Sequence, residues 1–348
     1  MNEGYRKNPY CIPPDDTYGE SCAAFANFQW AHSLFRLTGD AKYIDVAERI
    51  MYNVFYASLS LKGDSSSYCN LSQSEPYDYA AGVPTRRSPN LATSCCPPNI
   101  IKLFNKIGGF LYSTDSEGVY VKHYCTSESR IPWGRGMLKL AQTTKYPWEG
   151  TVVISVMSQT PEVFSLRLRV PDWAKSYRVL VKGKAVDVPV SQGWLTIRRR
   201  WMVGDQIELS LGMETVRLTM PRQFAEYQNL TALARGPIVY CLEGQDVKNA
   251  DADNPWTESL LGTLYVPHDA QFRPEYHPDL LGGITVLSGD VCQVTSRDGD
   301  KSIPATFVPY GVWGNRTQGE MRIWLGAHKA SVMELDFPQV VLGDSCIG

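Results

Sequence analysis

The chain has 348 residues, 43% of them hydrophobic, which is enough to bury more than one core and suggests two or three domains. Its 34 basic and 36 acidic residues give a net charge of −2, so the composition excludes the basic excess that favours nucleic acid or an anionic membrane. No apolar run approaches the ~20 residues that span a bilayer, and the N-terminus lacks an apolar signal core, so the sequence as written predicts a cytoplasmic protein.

The N-terminal part of the chain is predicted to contain an antiparallel pair of helices. Apolar residues repeat with helical spacing over residues 17–37, and Gly39 ends that pattern. A second helix is predicted over residues 40–59, with Asp40 as its N-cap. Residues 62–90 are then polar and carry Gly, Ser and Pro, and so long a connection within a compact domain usually has a function such as lining a site.

Two adjacent cysteines, Cys95 and Cys96, are followed directly by two prolines. Proline is preferred in the first turn of a helix, and the apolar spacing of residues 99–109 predicts a short helix there. Both thiols would then lie at the positive end of the helix dipole, which favours thiolate over thiol at one or both of them. Because thiolates at neutral pH bind metals or attack electrophiles, this cysteine pair is predicted to carry chemistry.

Glu20 and Cys22 add one carboxylate and one further sulfur, so that with the cysteine pair they make a ligand set that suits zinc. The paired C-x-x-C spacing of structural zinc sites is absent, however. Glu20 equally fits a capping box with Thr17 as N-cap, and Cys22 opens an amphipathic run in which an inert buried cysteine is the commoner outcome. The cysteine pair itself could instead form a strained vicinal disulfide or a redox-active dithiol.

Beyond residue 113 the hydrophobic pattern changes to the alternation typical of β-strands, with turn residues between the runs. Residues 114–214 are therefore predicted to form one all-β sandwich, and residues 215–348 a second β-rich domain in which residues 248–278 are mostly loop. The predicted strands are 118–124, 151–156, 164–170, 177–181, 194–198, 206–211, 216–220, 230–233, 238–242, 284–287 and 321–324.

Five short motifs, spread over nearly the whole chain, resemble glycoside hydrolase family 127, the β-L-arabinofuranosidases. Among them the combination of Glu20-Ser21-Cys22 with Cys95-Cys96-Pro97-Pro98-Asn99 is highly specific. The motifs are Tyr10-x-Ile12-Pro13-x-Asp15-x-x-Tyr18-x-Glu20-Ser21-Cys22-Ala23, Leu37-Thr38-Gly39-Asp40-Ala41-Lys42-Tyr43, Tyr68-x-Asn70, Cys95-Cys96-Pro97-Pro98-Asn99 and Arg235-Gly236-Pro237-Ile238-Val239-Tyr240.

The resemblance implies an α+β multidomain fold. Residues 1–113 would be the C-terminal helices of an (α/α)6 catalytic barrel, and residues 114–214 and 215–348 would be two β-sandwich domains. The predicted helices match only the end of such a barrel. This would explain why the chain has too few helices to enclose a core of their own. The chain is accordingly expected to be a truncated form whose activity depends on the missing part of the barrel, and that missing N-terminal part could carry a signal peptide.

The resemblance also implies a zinc-dependent retaining glycosidase that releases non-reducing-end β-L-arabinofuranose or a related furanoside. Cys95 would be the nucleophile that attacks the anomeric carbon. The ligands of the Zn²⁺ ion would be Glu20, Cys22, Cys95 and Cys96. In this chemistry zinc and the helix N-terminus would together keep the nucleophilic cysteine as a thiolate. Other retaining glycosidases use a carboxylate as the nucleophile.

Two further roles follow from the resemblance. Glu3 would be the general acid and base, because it is the glutamate that precedes the Tyr10 motif, and Tyr68 would contact the bound sugar. From the residues alone, Glu3 is equally a solvated residue of a flexible terminus, and Tyr68 is equally a buried core tyrosine.

The expected partner is an arabinofuranosyl oligosaccharide or glycan, with no nucleic acid and no membrane. An exposed edge strand in a terminal β-sandwich would also suit a homodimer interface. The alternative function belongs to another class, a non-catalytic carbohydrate-binding or partner-docking β-sandwich fragment. That alternative predicts a zinc-free chain that still binds glycans.

Overall fold

The computed structural model of the chain describes residues 17–74, 87–91, 94–134, 136–158, 163–222, 224, 227–248, 250, 259–295, 299–317, 319–329 and 331–332. Over these residues the fold is mixed α and β, with extensive β-sheet and few helices, as the sequence predicts. Two compact units are formed by the described parts of the chain. The first comprises Met1–Ala24, Tyr52–Ile100 and Thr215–Gly348, and the second Phe25–Met51 and Ile101–Glu214.

Three α-helices lie in the described part of the first 113 residues. They are α1 Ser21–Thr38, α2 Lys42–Arg49 and α3 Cys96–Lys106. A π-helical segment, Ile50–Phe55, follows α2, and a 3-10 turn, Ile107–Phe110, follows α3. None of the helices in the described residues is both long and apolar enough to cross a membrane.

The start of α1 lies four residues later than the sequence pattern predicts. The carbonyl of Glu20 accepts the first helical hydrogen bond from the N–H of Ala24 at 3.0 Å, so Glu20 occupies the N-cap position. The hydroxyl of Thr17 instead hydrogen-bonds the hydroxyl of Ser72 at 2.8 Å. The capping box of Thr17 and Glu20 is therefore wrong, because residues 17–19 are not yet helical.

The second helix begins near the predicted position but changes type along its length. The N-cap position falls on Ala41, one residue after the predicted Asp40, although Asp40 accepts a hydrogen bond from the N–H of Lys42 at 3.0 Å. The α-helix ends at Arg49 and is followed by π-helical turns that contain Asn53. The Asn53 side chain contacts the turn at Pro237 and Val239 in the first unit. There its side chain donates to the Pro237 carbonyl at 2.9 Å and accepts from the N–H of Val239 at 2.8 Å.

The strands are numbered in chain order. They are β1 Gln73–Ser74, β2 Tyr112–Thr114, β3 Gly118–Val121, β4 Ser127–Trp133, β5 Gly136–Thr144, β6 Thr151–Val156, β7 Val163–Arg169, β8 Tyr177–Val181, β9 Lys184–Ala185, β10 Val190–Ser191, β11 Trp194–Arg200, β12 Gln206–Leu211, β13 Thr215–Thr219, β14 Leu230–Arg235, β15 Ile238–Glu243, β16 Leu264–Tyr265, β17 Arg273–His277, β18 Ile284–Gln293, β19 Lys301–Pro309, β20 Met321–Arg322 and β21 Leu325–Gly326.

The second unit contains a five-stranded sheet and a six-stranded sheet. Their orders are β10-β11-β7-β3-β2 and β4-β5-β6-β12-β8-β9. Neighbouring strands are antiparallel except for β3 and β7, which run parallel. Along β6 and β12 every second side chain is buried, so the alternation seen in the sequence marks one covered face. The same unit buries Phe35 and Ile44 of the helices against Trp194 of β11.

The first unit contains a ten-stranded sheet of order β1-β20-β15-β19-β18-β16-β21-β14-β13, in which β17 also pairs with β18. Its longest pairing joins β18 to β19, and β19 was not predicted from the sequence. Pro304 lies inside that strand, and a proline normally argues against a central strand because it has no N–H to donate. Ile303, Ala305 and Phe307 are nevertheless buried in alternation, as a half-covered strand requires.

Candidate metal centre

One carboxylate and three sulfurs meet in the first unit. They belong to Glu20, Cys22, Cys95 and Cys96, and their ligand atoms all lie within 4.8 Å of one another. The Sγ atoms of Cys22 and Cys96 are 3.3 Å apart, and those of Cys95 and Cys96 are 3.8 Å apart. The structure thus brings together the four residues that the sequence singles out, from two segments far apart in the chain, and their binding of a metal stays a prediction.

The two adjacent cysteines differ in exposure because Cys96 is the first residue of α3 and Cys95 precedes the helix. Cys96, Ile100 and Leu103 follow helical spacing and are all buried, with Cys96 fully so. Cys95, one residue earlier, is exposed. Both are free thiols in the structure rather than a vicinal disulfide. Only one of the two sulfurs can therefore be approached by a molecule from solvent.

The segment that carries Glu20 and Cys22 is held by a short antiparallel pairing. Gly19 accepts from the N–H of Asn70 at 3.0 Å, and the N–H of Ser21 donates to the Tyr68 carbonyl at 3.0 Å. Gly19 has a φ of +49°, and a Cβ at this position would lie 2.2 Å from the Asn70 carbonyl oxygen. The turn therefore needs glycine both for its left-handed backbone and for the close approach.

The buried side chain of Asn70 ties the same two segments together. Its amide nitrogen donates to the Gly19 carbonyl and to the Ser21 hydroxyl, both at 2.9 Å, and its oxygen accepts from the Ser58 hydroxyl at 3.0 Å. A satisfied buried network of this kind makes the backbone that carries the ligands rigid. Sequence reasoning missed this role, although Asn70 stands in the Tyr68-x-Asn70 motif.

Asn99 is a second residue that sequence reasoning did not place in the site. Its side-chain nitrogen donates a hydrogen bond to the Sγ of Cys22 at 3.2 Å. The available signal is its position at the end of the Cys-Cys-Pro-Pro-Asn motif. The amide thus lies next to a predicted metal ligand without being a predicted ligand itself.

Burial dominates the acidity of the enclosed thiols. Desolvation raises the pKa of Cys96, and the neighbouring Cys22 sulfur raises it further. Desolvation also raises the pKa of Cys22, against the opposing hydrogen bond from Asn99. The lowering of thiol pKa predicted for one or both cysteines therefore does not hold for Cys96, whose pKa is raised by burial. A cation that coordinates the sulfurs would reverse this balance, because coordination deprotonates a thiol.

The ring of Tyr68 packs beside the cysteines. It is 6% exposed and belongs to a buried cluster with Cys96 and Leu71. Its hydroxyl accepts a hydrogen bond from the hydroxyl of Tyr18 at 3.2 Å. The contact between Tyr68 and a sugar stays a prediction, and Glu3, the predicted general acid and base, lies outside the described residues.

The same unit also has a cavity of about 120 Å³ that none of the four cluster residues lines. Arg87, Glu243 and Trp313 are among its lining residues. Glu243 is already paired with Arg316 and accepts from the N–H of Gly314 at 2.5 Å. Because the Glu243 carboxylate is thus already paired within the protein, the cysteine cluster remains the stronger candidate for chemistry.

Three family profiles match successive parts of the chain. The catalytic domain of β-L-arabinofuranosidases of glycoside hydrolase family 127 (GH127) matches residues 2–109. The middle domain of the same family matches residues 118–213, and its C-terminal domain matches residues 216–326. Together the three profiles cover most of the sequence in the order that the family motifs predict.

Individual relatives carry the same family name. The chain is 27% identical over 341 residues to a non-reducing end β-L-arabinofuranosidase of Bifidobacterium longum subsp. longum, an alignment that covers 90% of this chain and 50% of that protein. A solved GH127 β-arabinofuranosidase matches with a TM-score of 0.84 and 29% identity, over 93% of this chain and 52% of the other. A GH127 β-L-arabinofuranosidase of Geobacillus stearothermophilus T6 matches with a TM-score of 0.81 and 31% identity, over 90% and 51%. The chain spans about half the length of these relatives.

Proposed function

Since the chain belongs to glycoside hydrolase family 127, we propose that it acts as a retaining glycoside hydrolase of the β-L-arabinofuranosidase type. Its substrate would be an oligosaccharide or glycan with β-L-arabinofuranose, or a related furanoside, at the non-reducing end. The observation that carries the proposal is the convergence of one carboxylate and three sulfurs within 4.8 Å at the ends of two helices.

Zinc is the metal that we propose for this cluster. Three cysteine sulfurs and one glutamate oxygen make four ligands of the types that zinc prefers. Zinc–sulfur bonds of about 2.3 Å in a tetrahedral site place two sulfurs about 3.8 Å apart. The observed separation of 3.8 Å between the Cys95 and Cys96 sulfurs agrees with that value, and the 3.3 Å between the Cys22 and Cys96 sulfurs is shorter. When bound, zinc would keep the sulfurs as thiolates at neutral pH.

Cys95 is the proposed nucleophile because its sulfur is exposed while that of Cys96 is enclosed. In the first step the Cys95 sulfur bonds to the anomeric carbon as the glycosidic C–O bond breaks, and the leaving oxygen takes a proton from Glu3. In the second step water attacks that carbon and gives its proton to Glu3. The C–S bond breaks and its electrons return to Cys95. Two successive displacements retain the configuration of the sugar.

Tyr68 is the proposed sugar contact. Its ring packs against Cys96, the residue next to the nucleophile, and its hydroxyl is polar and oriented by Tyr18. A phenolic hydroxyl can donate to one sugar oxygen and accept from another group at the same time. It would therefore help to orient the furanose ring at Cys95.

We further propose that α1 to α3 belong to an (α/α)6 barrel over residues 1–113, followed by β-sandwiches over residues 114–214 and 215–348. Large apolar side chains on the helices remain open to solvent, among them Trp30, which is 64% exposed, and Leu37, which is 82% exposed. Barrel neighbours would cover such side chains. A sandwich in the middle region is supported by the contact of Trp133 on β4 with Phe164 on β7, whose ring centres are 4.9 Å apart across the two sheets.

The nucleophile can be tested in the intact protein. Cys95→Ser is expected to lower turnover of an aryl β-L-arabinofuranoside by about 10³-fold or more, because a hydroxyl at this position is a far weaker nucleophile than a thiolate. Acid quenching of the wild-type reaction should leave a glycosyl group on the peptide that contains Cys95, detectable by mass spectrometry.

The matched control is Cys125→Ser, which removes a half-buried free thiol of the second unit and should leave turnover unchanged. Circular dichroism would show that each variant keeps its fold. Undiminished turnover in Cys95→Ser, or a glycosyl group on a different residue, would remove the nucleophile assignment.

A further inference from the structure

The side chain of Asn99 lies on the same face of α3 as Cys96, one turn further along the helix. Both reach across to the same sulfur atom of α1. The Nδ2 atom of Asn99 is 3.2 Å from the Cys22 Sγ, and the Cys96 Sγ is 3.3 Å from it. Two side chains of α3 therefore contact the Cys22 sulfur. One is the predicted ligand Cys96, and the other is the Asn99 amide, which donates a hydrogen bond to it.

The first turn of α3 explains why a side-chain donor is needed there. A helix N-terminus normally points four free N–H groups at a nearby anion. Pro97 and Pro98 have no N–H, so two of those four donors are missing from α3. The amide of Asn99 supplies a donor where the backbone of this helix cannot.

We propose that Asn99 is a positioning residue of the metal centre, whose amide orients the Cys22 sulfur and shares the negative charge of its thiolate. This inference rests on the proposed function, since it requires a metal that holds Cys22 as thiolate. A hydrogen bond to a metal-bound thiolate shares the negative charge of the sulfur and fixes the direction in which the sulfur faces the metal. Without that bond the sulfur is less well oriented for coordination, so the metal is held more weakly.

Asn99 is suited to this role because only its donor end faces the sulfur. It is half-buried, which shields the contact from competing water. In the described part of the chain its side chain makes one hydrogen bond, the one to Cys22. Its removal should therefore act on the metal centre rather than on a wider network.

The test measures zinc affinity in the intact protein by competition with a chromophoric chelator. Asn99→Ala is expected to weaken zinc binding about 10–100-fold, as is usual when a partner of a metal ligand is lost. Asn99→Asp is expected to weaken it as well, because a carboxylate cannot donate and repels the thiolate. An aspartate in the first turn favours the helix itself, so weaker binding in that variant would not come from unfolding.

Asn105→Ala is the matched control. Asn105 lies on the same helix but is exposed and away from the sulfurs, so its removal should leave zinc affinity unchanged. A second readout is the sulfur-to-metal charge-transfer band of the Co²⁺-loaded protein. That band should move to longer wavelength in Asn99→Ala and stay in place in Asn105→Ala, because a thiolate without its hydrogen bond gives up charge more easily.

The outcomes separate the two proposals. Zinc binding by the wild type together with equal affinity and equal spectra in Asn99→Ala and Asn105→Ala would overturn the role of Asn99 alone. A wild-type protein that binds no zinc would overturn the metal centre and this inference together. Weaker binding with a shifted band in Asn99→Ala alone would support the inference.

Discussion

Single residues decide what each part of the cysteine cluster can do. Cys95 and Cys96 are neighbours in the chain, yet Cys96 begins α3 and is buried, whereas Cys95 precedes the helix and is exposed. A buried sulfur next to Cys22 is suited to permanent coordination, whereas an exposed sulfur can meet a substrate. The division of labour proposed for the pair thus follows from where α3 begins, because Cys96 is its first residue and Cys95 lies just before it.

Gly19 is the residue on which the position of Glu20 most depends. Gly19→Ala is expected to cost about 3 kcal/mol or more of folding free energy, because the left-handed backbone becomes strained and the new Cβ meets the Asn70 carbonyl oxygen. Chemical denaturation would measure the loss, and zinc affinity should fall with it as the ligand segment shifts.

Gly63→Ala is the control for that prediction. Gly63 also has a positive φ, of +72°, but a Cβ there would meet nothing within 4 Å. Its substitution should cost only the backbone strain, about 1 kcal/mol. Equal losses in the two variants would show that the contact of Gly19 with Asn70 does not hold the site together.

At this scale the sequence is sufficient to single out Glu20, Cys22 and the cysteine pair, because their residue types and motifs carry the signal locally. It is not sufficient to find Asn70 or Asn99 as parts of the site. Their contacts depend on how two distant segments approach each other, and an asparagine has many structural uses elsewhere. The raised pKa of Cys96 was not predicted for the same reason, since burial is a property of the folded surroundings.

Among the elements, α2 and β7 are joined by a buried ion cluster. The guanidinium of Arg169 is fully buried and bonds Asp45 at 2.5 Å and also Glu48. The hydroxyl of Tyr146 donates to the same Glu48 at 2.6 Å. Because each charge is paired and hydrogen-bonded, the cluster can exist without water inside this unit.

Arg169→Met is expected to destabilise the second unit by about 3–5 kcal/mol, since it leaves two buried carboxylates without a counter-charge. Urea denaturation would measure the change. Lys145→Met breaks the exposed pair with Glu149 and should cost less than about 1 kcal/mol. A loss for Arg169→Met as small as that for Lys145→Met would show that the cluster is not buried in solution.

The helix α1 and the residues after β3 also bury a pair of histidines. The Nε2 atoms of His32 and His123 are 3.2 Å apart, and in the described structure neither Nδ1 has a hydrogen-bond partner. Burial, with Lys122 and Arg169 nearby, lowers the pKa of His32 to about 3. Burial also lowers the pKa of His123 well below its usual value. Both rings are therefore neutral in the folded protein.

This pair should make stability depend on pH. The folded-state pKa lies below the unfolded value of about 6.5, so the unfolded chain binds more protons at acidic pH. The contribution is complete above pH 6.5 and is lost as the pH falls towards 3. Between pH 7 and pH 5 the expected loss is about 2 kcal/mol per histidine.

Urea denaturation at the two pH values measures this loss. The double variant His32→Leu with His123→Leu should flatten the pH dependence. His268→Gln, which replaces an exposed histidine, should leave it as in the wild type. An unchanged slope in the double variant would contradict the assignment of neutral buried rings.

Elements with regular hydrophobic patterns were predictable, and those held by tertiary context were not. The alternation of β6 and β12 and the apolar face of α3 are visible in the sequence and confirmed in the structure. The hairpin of β4 and β5 and the proline-containing β19 were not predicted, and in the structure both are defined by their pairing with neighbouring strands. Helical periodicity likewise could not separate the π-helical turns from α2.

For the whole molecule, the proposed metal centre would join segments that lie far apart in the sequence. The segment with Glu20 and Cys22 and the segment with Cys95 and Cys96 belong to the same compact unit as the C-terminal sheet, although much of the chain lies between them. A metal that binds only the folded arrangement stabilises the protein in proportion to its affinity. Family membership could be recognised from the motifs because they keep their order along the chain, whereas the sugar specificity has no comparable local signal.

The most direct test of the account is the zinc content of the purified intact protein, measured by inductively coupled plasma mass spectrometry. We expect about one zinc per chain, lost in Cys96→Ser and in Glu20→Gln and retained in Cys125→Ser. A zinc-free wild type, or zinc that persists after Cys96 is replaced in a folded variant, would contradict it.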